Sequence, residues 1–422
     1  MIQRRLDSRH LAAIFAAMLL FLVTGCAGQQ PSDSARTGSA PPSPSATQAE
    51  PSESTAPTTE PSETAEPSEA AGPPVIAWDE AEPFDGNPNA IFDDGGTWVV
   101  GGWATERGPG AWTSTDARTW TSEAAVDPLP DDLFIGAGLG PIIRLGDSLL
   151  SYGTFIGCCD GRGVVGWRSA DGVSWEVIES HSPLFDQGYL VTGLAVGDPA
   201  LVAIELQYRA RAGRVWRWTP ETSWVEVTPA SDTANAFASG IEANDLVWAD
   251  GRYVVVGLRG DPEAAGGAGA SWVSTDGETW EASTPQAVLE DVRLTHVAPM
   301  PDGGFLALGH SDYASFGREG VAVAFTSPDG LDWTAVDAPA AEPSAGPVEL
   351  LVVDGGFVAL TTSGSEVTAW ISAADGQSWT ESATFEHEFR TAAADGEHVL
   401  VFTADYREGP AEFFLNRGTL GP

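Results

Sequence analysis

An Asp-Gly-like turn followed by a short apolar run returns seven times in this chain of 422 residues. The copies are DDGGTWVVGG from Asp93, GDSLLSYG from Gly146, GDPALVAIE from Gly197, ADGRYVVVG at 249–257, PDGGFLALG at 301–309, VDGGFVALT at 353–361 and ADGEHVLVF at 394–402. Their turn aspartates are Asp94, Asp147, Asp198, Asp250, Asp302, Asp354 and Asp395, spaced by 53, 51, 52, 52, 52 and 41 residues. Gly accepts φ > 0 and Asp can bond its own backbone, so Asp-Gly marks tight hairpins. So regular a period over seven copies means a repeat architecture.

A second signal shares the period. STDGETW at 274–280 has relatives STDARTW at 114–120, SADGVSW at 169–175, SPDGLDW at 327–333 and SAADGQSW at 372–379, with a degenerate TPETSW at 219–224. Each unit reads as strand, Asp-Gly turn, strand, variable loop, strand carrying an aromatic, polar box, and a fourth strand opened by the box Trp. Four short antiparallel strands per unit of about 50 residues are the pattern of a propeller blade. The sequence therefore predicts an all-β, seven-bladed β-propeller, with six blades as the alternative. The seventh unit lacks a box. Trp78 lies 16 residues before Asp94, as Trp379 lies 16 before Asp395. Residues 75–81 are thus expected to supply the outer strand of blade seven and close the ring, removing an edge open to aggregation.

The pattern S-x-D-G-x-T-W resembles the Asp-box, or BNR, repeat of sialidase-like propellers. Blade one has Ala117 for the Gly, blade five has Asp332 for the Thr, and blade six carries one extra residue. The physics of the box is local: the Asp accepts turn N–H groups, the Gly takes the left-handed conformation and the Trp buries an apolar face. Asp116, Asp171, Asp276, Asp329 and Asp375 are accordingly structural, because a catalytic motif is needed only once.

The N-terminal end is of another kind. Arg4, Arg5 and Arg9 precede the apolar run LAAIFAAMLLFLVTG at 11–25, and Cys26 follows. This reads as an export signal, shorter than the roughly 20 residues of a membrane span. Val23-Thr24-Gly25-Cys26 resembles the bacterial lipobox, which implies cleavage before Cys26 and acylation of its sulfur. Residues 1–25 are expected to be a lipoprotein signal peptide. Residues 26–74, rich in Pro, Ser, Thr, Glu and Ala without an aromatic, read as a disordered tether. Residues 75–422 are the propeller. The expected location is the cell membrane, lipid-anchored on its extracytoplasmic side, with the bilayer as a partner through Cys26.

The chain has no Lys, and its net charge is −40. Phosphate binding needs a basic stripe, so nucleic acid is not an expected partner. Alternation of strand direction puts the Asp-Gly turns and boxes on one face. The second-to-third-strand loops and the blade-to-blade links share the other, where variable loops carry binding. Candidates on that face are Arg107, Arg162, Arg259, His310, Arg318, Tyr406 and Arg407, with Arg293 and Arg390 near the starts of inner strands. Guanidinium forks suit an anionic group. Neighbouring acids such as Glu106, Asp160, Asp261, Glu319 and Glu408 favour local ion pairing instead. Adjacent Cys158 and Cys159 are candidates for a vicinal disulfide in an exported protein. No Cys/His spacing matches a zinc site, and no cofactor or metal is expected.

The sialidase resemblance implies three carboxylate-binding arginines, a Tyr nucleophile assisted by Glu, and an Asp acid/base. Here the early Arg-Ile-Pro motif is missing; Arg144-Leu145-Gly146 lies at the wrong end of its strand. The inner strand of blade six, PVELLVVDGG, has Glu349 but no Tyr. The sequence thus favours a monomeric binding or scaffold module for a glycan, envelope component or protein. A sialidase-type exo-glycosidase and an assembly factor for a membrane complex are the alternatives.

Overall fold

A computed structural model describes residues 72–422 except 106–107, 123–125, 127–137, 157–161, 180–188, 199, 208–212, 228–240, 261–266, 312–319, 340–345, 408–409 and 422. The leader, Cys26, tether residues 26–71, Arg107, Cys158, Cys159 and Arg318 lie outside the described residues, as does the side chain of Arg162.

Seven antiparallel sheets form the blades of a propeller. The inner strands are 87–93, 142–145, 189–196, 241–249, 292–299, 346–353 and 388–394. Each hairpins through its Asp-Gly turn into a second strand, and blades two to six complete the order with a third and a fourth. Blade one keeps three strands, its outer position reduced to a bridge between Thr113 and Thr121. The only helix among the described residues is a 3-10 turn at Ala287–Leu289.

Ring closure follows the sequence expectation. Ile76–Trp78 pairs antiparallel with the last strand, Glu412–Leu420, in the register Ile76 to Leu420 and Trp78 to Gly418. Glu82–Phe84 then continues along the same strand, from Leu415 to Phe413. Trp78 reaches back to blade six, donating to Ser382 Oγ (2.9 Å) and meeting Phe385 edge-on at 4.8 Å. Two box tryptophans make the same backward reach: Trp224 donates to Tyr152 of blade two, and Trp333 to Ser271 of blade four.

The boxes are hydrogen-bonded clasps. In blade four, Ser274 Oγ donates to Asp276 Oδ1 (3.0 Å) and accepts from Gly277 N (2.8 Å). The same Asp276 oxygen accepts from Glu278 N (2.8 Å) and Thr279 N (2.7 Å). Burial opposes ionisation of Asp276, but these N–H groups outweigh it and hold its pKa below the ordinary 3.8. Gly277 has φ 70°, and a Cβ there would lie 2.7 Å from Val202 of blade three. The glycine therefore serves both the turn and the approach of the preceding blade. An arginine from that blade often completes the clasp. Arg217 donates to Asp276 O (2.9 Å), Arg252 to Asp329 O (3.3 Å) and Arg417 to Ala117 O (3.1 Å).

Each seam between blades holds its own apolar cluster. Trp272 and Tyr253 of blade four pack with Val202 and Ile204 of blade three, for example. Phe84, Trp98 and Trp112 pack with Leu400 and Phe402 across the closing seam. At that seam Arg417, 3% exposed, pairs with Asp79 of the closing strand, and Arg118 of blade one reaches the same carboxylate at 3.1 Å. The Arg417 hydrogen bond is the leading cause that holds Asp79 below the ordinary Asp pKa.

Removing one partner of a buried pair strands the other. Because the Asp79 side chain keeps 40% exposure, Arg417→Ala should cost about 2–3 kcal/mol rather than the about 3–5 of a sealed pair. Denaturant unfolding of Arg417→Ala, Asp79→Ala and the double variant checks this. Strict additivity of the two single effects would show that the pair does not clamp the ring.

Candidate functional site

The inner strands surround the axis, and six of them slip register by one residue at one level. The slips fall between Pro88 and Ala90, Val191 and Gly193, Ala243 and Asp245, Leu294 and His296, Pro347 and Glu349, and Phe389 and Thr391. A bulge leaves one residue without a ladder partner and re-aims its side chain. Three of the six skipped residues reach the next blade. Thr192 donates to Ala243 O (3.3 Å), Asn244 to Leu294 O (2.7 Å) and Arg390 to Pro88 O (3.4 Å). Each accepting carbonyl belongs to the residue just before the neighbour's bulge. Glycines on second strands make room for the slip: a Cβ on Gly257 would lie 1.8 Å from Glu242 O, and one on Gly309 2.2 Å from Arg293 O.

The residues just after the bulge are ionisable in three consecutive blades: Asp245, His296 and Glu349. Asp245 Oδ2 accepts from Val297 N of the next blade, and Oδ1 from Leu246 N, both at 2.8 Å. Glu349 Oε1 accepts from Leu350 N (3.2 Å). His296 Nδ1 lies 3.0 Å from Thr295 Oγ1. All three side chains are deep in the ring yet keep part of their surface open, so they line the axis without being sealed.

Depth without a cationic neighbour sets their protonation. Burial pushes Asp245 up to about 7, against the two N–H groups that favour its charge. Burial pushes Glu349 up to about 8, and the nearby Asp245 carboxyl adds to the rise. His296 is lowered to about 4 by burial and by His310, and is neutral at pH 7. Near neutral pH this wall therefore offers two carboxyls, Glu349 and Asp245, held toward their protonated forms, beside a neutral imidazole. That is the range in which general acid–base groups work.

Toward the link-loop face the wall ends in an ion pair. Arg293 NH2 lies 2.7 Å from Glu242 Oε2, joining blades five and four, and Glu242 is 1% exposed. His310 pairs with Arg293 across the hairpin, its ring against Gly346 of blade six. Burial, then Arg293, lowers its pKa to about 4.

The sequence candidates separate on this map. Arg293 and His310 belong to the mouth of the axis. Arg390 is at the same bulge level, but its guanidinium is held by Asn87 (3.0 Å) and Asn89 (2.8 Å) of blade one. Arg259 donates to Ser283 O (3.2 Å), and Arg407 pairs with Asp405 at 3.0 Å. Tyr406 is exposed. Arg162 begins the third strand of blade two. Sequence reasoning missed Asp245, His296 and Glu242, and met Glu349 only as a strand without Tyr. A signal was present: an ionisable residue five or six positions before the turn Asp, in three successive inner strands. Among the described residues, no group of three His, Cys, Asp or Glu is arranged to hold a metal.

No family model matches the chain, and no curated protein matches its sequence. Solved structures do resemble it. The polysaccharide lyase Uly1 aligns with a TM-score of 0.52 at 9% identity, over 79% of this chain and 90% of that one. YCF48 bound to a D1 peptide aligns with a TM-score of 0.47 at 14% identity, over 80% and 94%. The Bacillus subtilis arabinanase Arb43A aligns with a TM-score of 0.34 at 12% identity, over 81% and 96%. The likeness to Uly1 speaks for the fold alone.

Raised acids leave a pH signature. Folded Glu349 holds its proton above the ordinary 4.5, so its contribution is intact below pH 4.5 and is lost as pH rises through about 8. Glu349→Gln should stabilise the protein by about 1–3 kcal/mol above pH 8 and change little at pH 4. His296 acts in the opposite range: stability should fall as pH drops from 6.5 to about 4. Thermal melts of parent and variant across pH 4–9 test both, and an equal gain at every pH would rule out the proton-linked account.

Proposed function

We propose that this chain is a lipid-anchored, extracytoplasmic propeller that binds an envelope glycan or protein on its link-loop face, with the axial wall as the receiving end. The observation that carries this reading is the placing of Asp245, His296 and Glu349 at one level by consecutive inner strands. Polar groups held deep without charge partners cost stability, and such groups concentrate at functional sites. The described arginines of this face are bound to protein acceptors, so they act as braces rather than as a carboxylate-binding fork.

The direction of the first strand agrees with a tether. Gly421 N donates to Val75 O (2.7 Å), and Ile76 pairs with Leu420, so the chain enters the propeller at the Asp-Gly turn face. In the anchored reading, the link-loop face is the one remote from the attachment point.

One observation favours a second reading. Two carboxyls with pKa raised to about 7 and about 8 are suited to acid–base cleavage of a glycosidic bond. No Tyr accompanies them among the described inner-strand residues of blades four to six, so the sialidase nucleophile is not part of this second reading.

A glycan array and a fluorogenic-glycoside screen on the soluble chain without its leader separate the two. Binding without turnover, weakened tenfold or more by Asp245→Asn with Glu349→Gln, is expected. Turnover abolished by either single change would establish the enzyme instead, and neither binding nor turnover would sink both readings. For the anchor, Cys26→Ser should move the exported protein from the membrane fraction to the soluble fraction; unchanged membrane retention would remove the lipid from the account.

A further inference from the structure

We infer that the ring-closing seam carries a second ligand site, an aromatic pocket for an uncharged oligosaccharide. It rests on reading the link-loop face as the ligand face, but uses none of the axial residues.

The pocket opens between blades seven and one and has a volume of about 770 Å³. Its lining comes from the crossover segment Pro83–Asn87, from Trp103 and Ala104 at the end of a blade-one strand, and from Ala411–Phe414 at the start of the last strand. Phe84 forms a rigid floor. It is 8% exposed and meets Trp112, Trp120 and Phe402 edge-on at 5.4, 5.6 and 4.8 Å. Trp103, Phe413 and Phe414 are only half-buried. Phe413 is met edge-on by Tyr406 at 6.4 Å. Phe414 stacks on His387 at 4.6 Å, and Arg407 reaches that imidazole at 3.1 Å. Phe413, on the same face of its strand as the Phe84 cluster, is thus held in place before a ligand arrives, which lowers the ordering cost of binding; the Phe414 ring turns to the opposite face, against His387.

Three features set the ligand class. Aromatic faces accept the C–H face of a pyranose ring, as they accept other apolar surface. Asp85 and Glu412 present exposed carboxylates at the rim. Asn87 accepts Arg390 on its Oδ1, leaving its amide N–H groups to donate. Hydroxyls need this mixture of acceptors and donors. Among the described residues the lining has two carboxylates and no cationic side chain. It therefore repels uronic and sialic acids, and equally the chain's own Glu-rich tether and a second copy of this acidic domain. The volume falls within the range of pockets that enclose drug-sized ligands; a lone ammonium group would leave most of it empty.

Calorimetric titration of the soluble chain with neutral gluco-, manno-, galacto- and arabino-oligosaccharides, and with oligouronates, tests the site. One neutral series should bind at one-to-one stoichiometry, with oligouronates at least tenfold weaker. Trp103→Ala or Phe413→Ala should weaken binding at least tenfold. Ala104→Trp, at an exposed rim position, should do the same by obstruction without touching the core. Asp85→Asn with Glu412→Gln should narrow the discrimination against oligouronates. Arg168→Gln, at an exposed pair with Glu176 on the turn face of blade two, should leave this affinity within twofold. Neutral binding that survives Ala104→Trp, or oligouronates binding as well as neutral sugars, would overturn the inference. Loss through the axial variants alone would place the glycan in the channel, overturning this pocket while sparing the broader reading. Binding of no sugar overturns the pocket, and retention of an envelope protein would then still uphold the broader function.

Discussion

A ring of blades is only as stable as its last seam. Six of the seams here join blades that follow one another in the chain, and the seventh is made from the two ends of the domain. Backbone pairing of Ile76–Trp78 with the final strand gives that seam its direction. The Arg417 guanidinium gives it a lock, since it holds Asp79 of the closing strand and the Ala117 carbonyl of blade one together. Apolar packing around Phe84 and Phe402 then excludes water from the joint. Without this closure an open strand edge would face solvent.

The bulges extend the same logic inward. Each slip frees a side chain, and Thr192, Asn244 and Arg390 use theirs to grip the carbonyl of the next blade. Three links between blades thus lie at the bulge level, and the residue that follows the bulge differs from blade to blade. Where that residue is Ala90 or Gly193 nothing chemical results. Where it is Asp245, His296 or Glu349, a structural device has positioned titratable groups. Rigid elements hold such groups better than loops do.

The turns and the blades were legible in the sequence because they are local. Asp276 finds its partners within three residues, so its motif survives as a string. Trp78 was legible because its spacing to Asp94 repeats that of Trp379 to Asp395. The axial wall was not read, because a bulge is a property of two strands in register. Nothing in IEANDLVWA says that Asn244 is the residue skipped and Asp245 the one turned inward. The arginines misdirected attention for a related reason: a guanidinium on a loop face looks free until its acceptor, such as Asn89 for Arg390, arrives from a blade about 300 positions away in sequence.

The way the first strand lies along the last has a mechanical side. Ile76 enters at the turn face, and the strand runs from there toward the loops. A pull applied at Val75, away from the turn face, acts along the strand axis. Its hydrogen bonds to the last strand and the Asp79–Arg417 pair then bear the load together in shear, instead of opening one after another like a zipper. A ring closed by its own leading strand is loaded in its stronger direction whenever tension comes through that end of the chain.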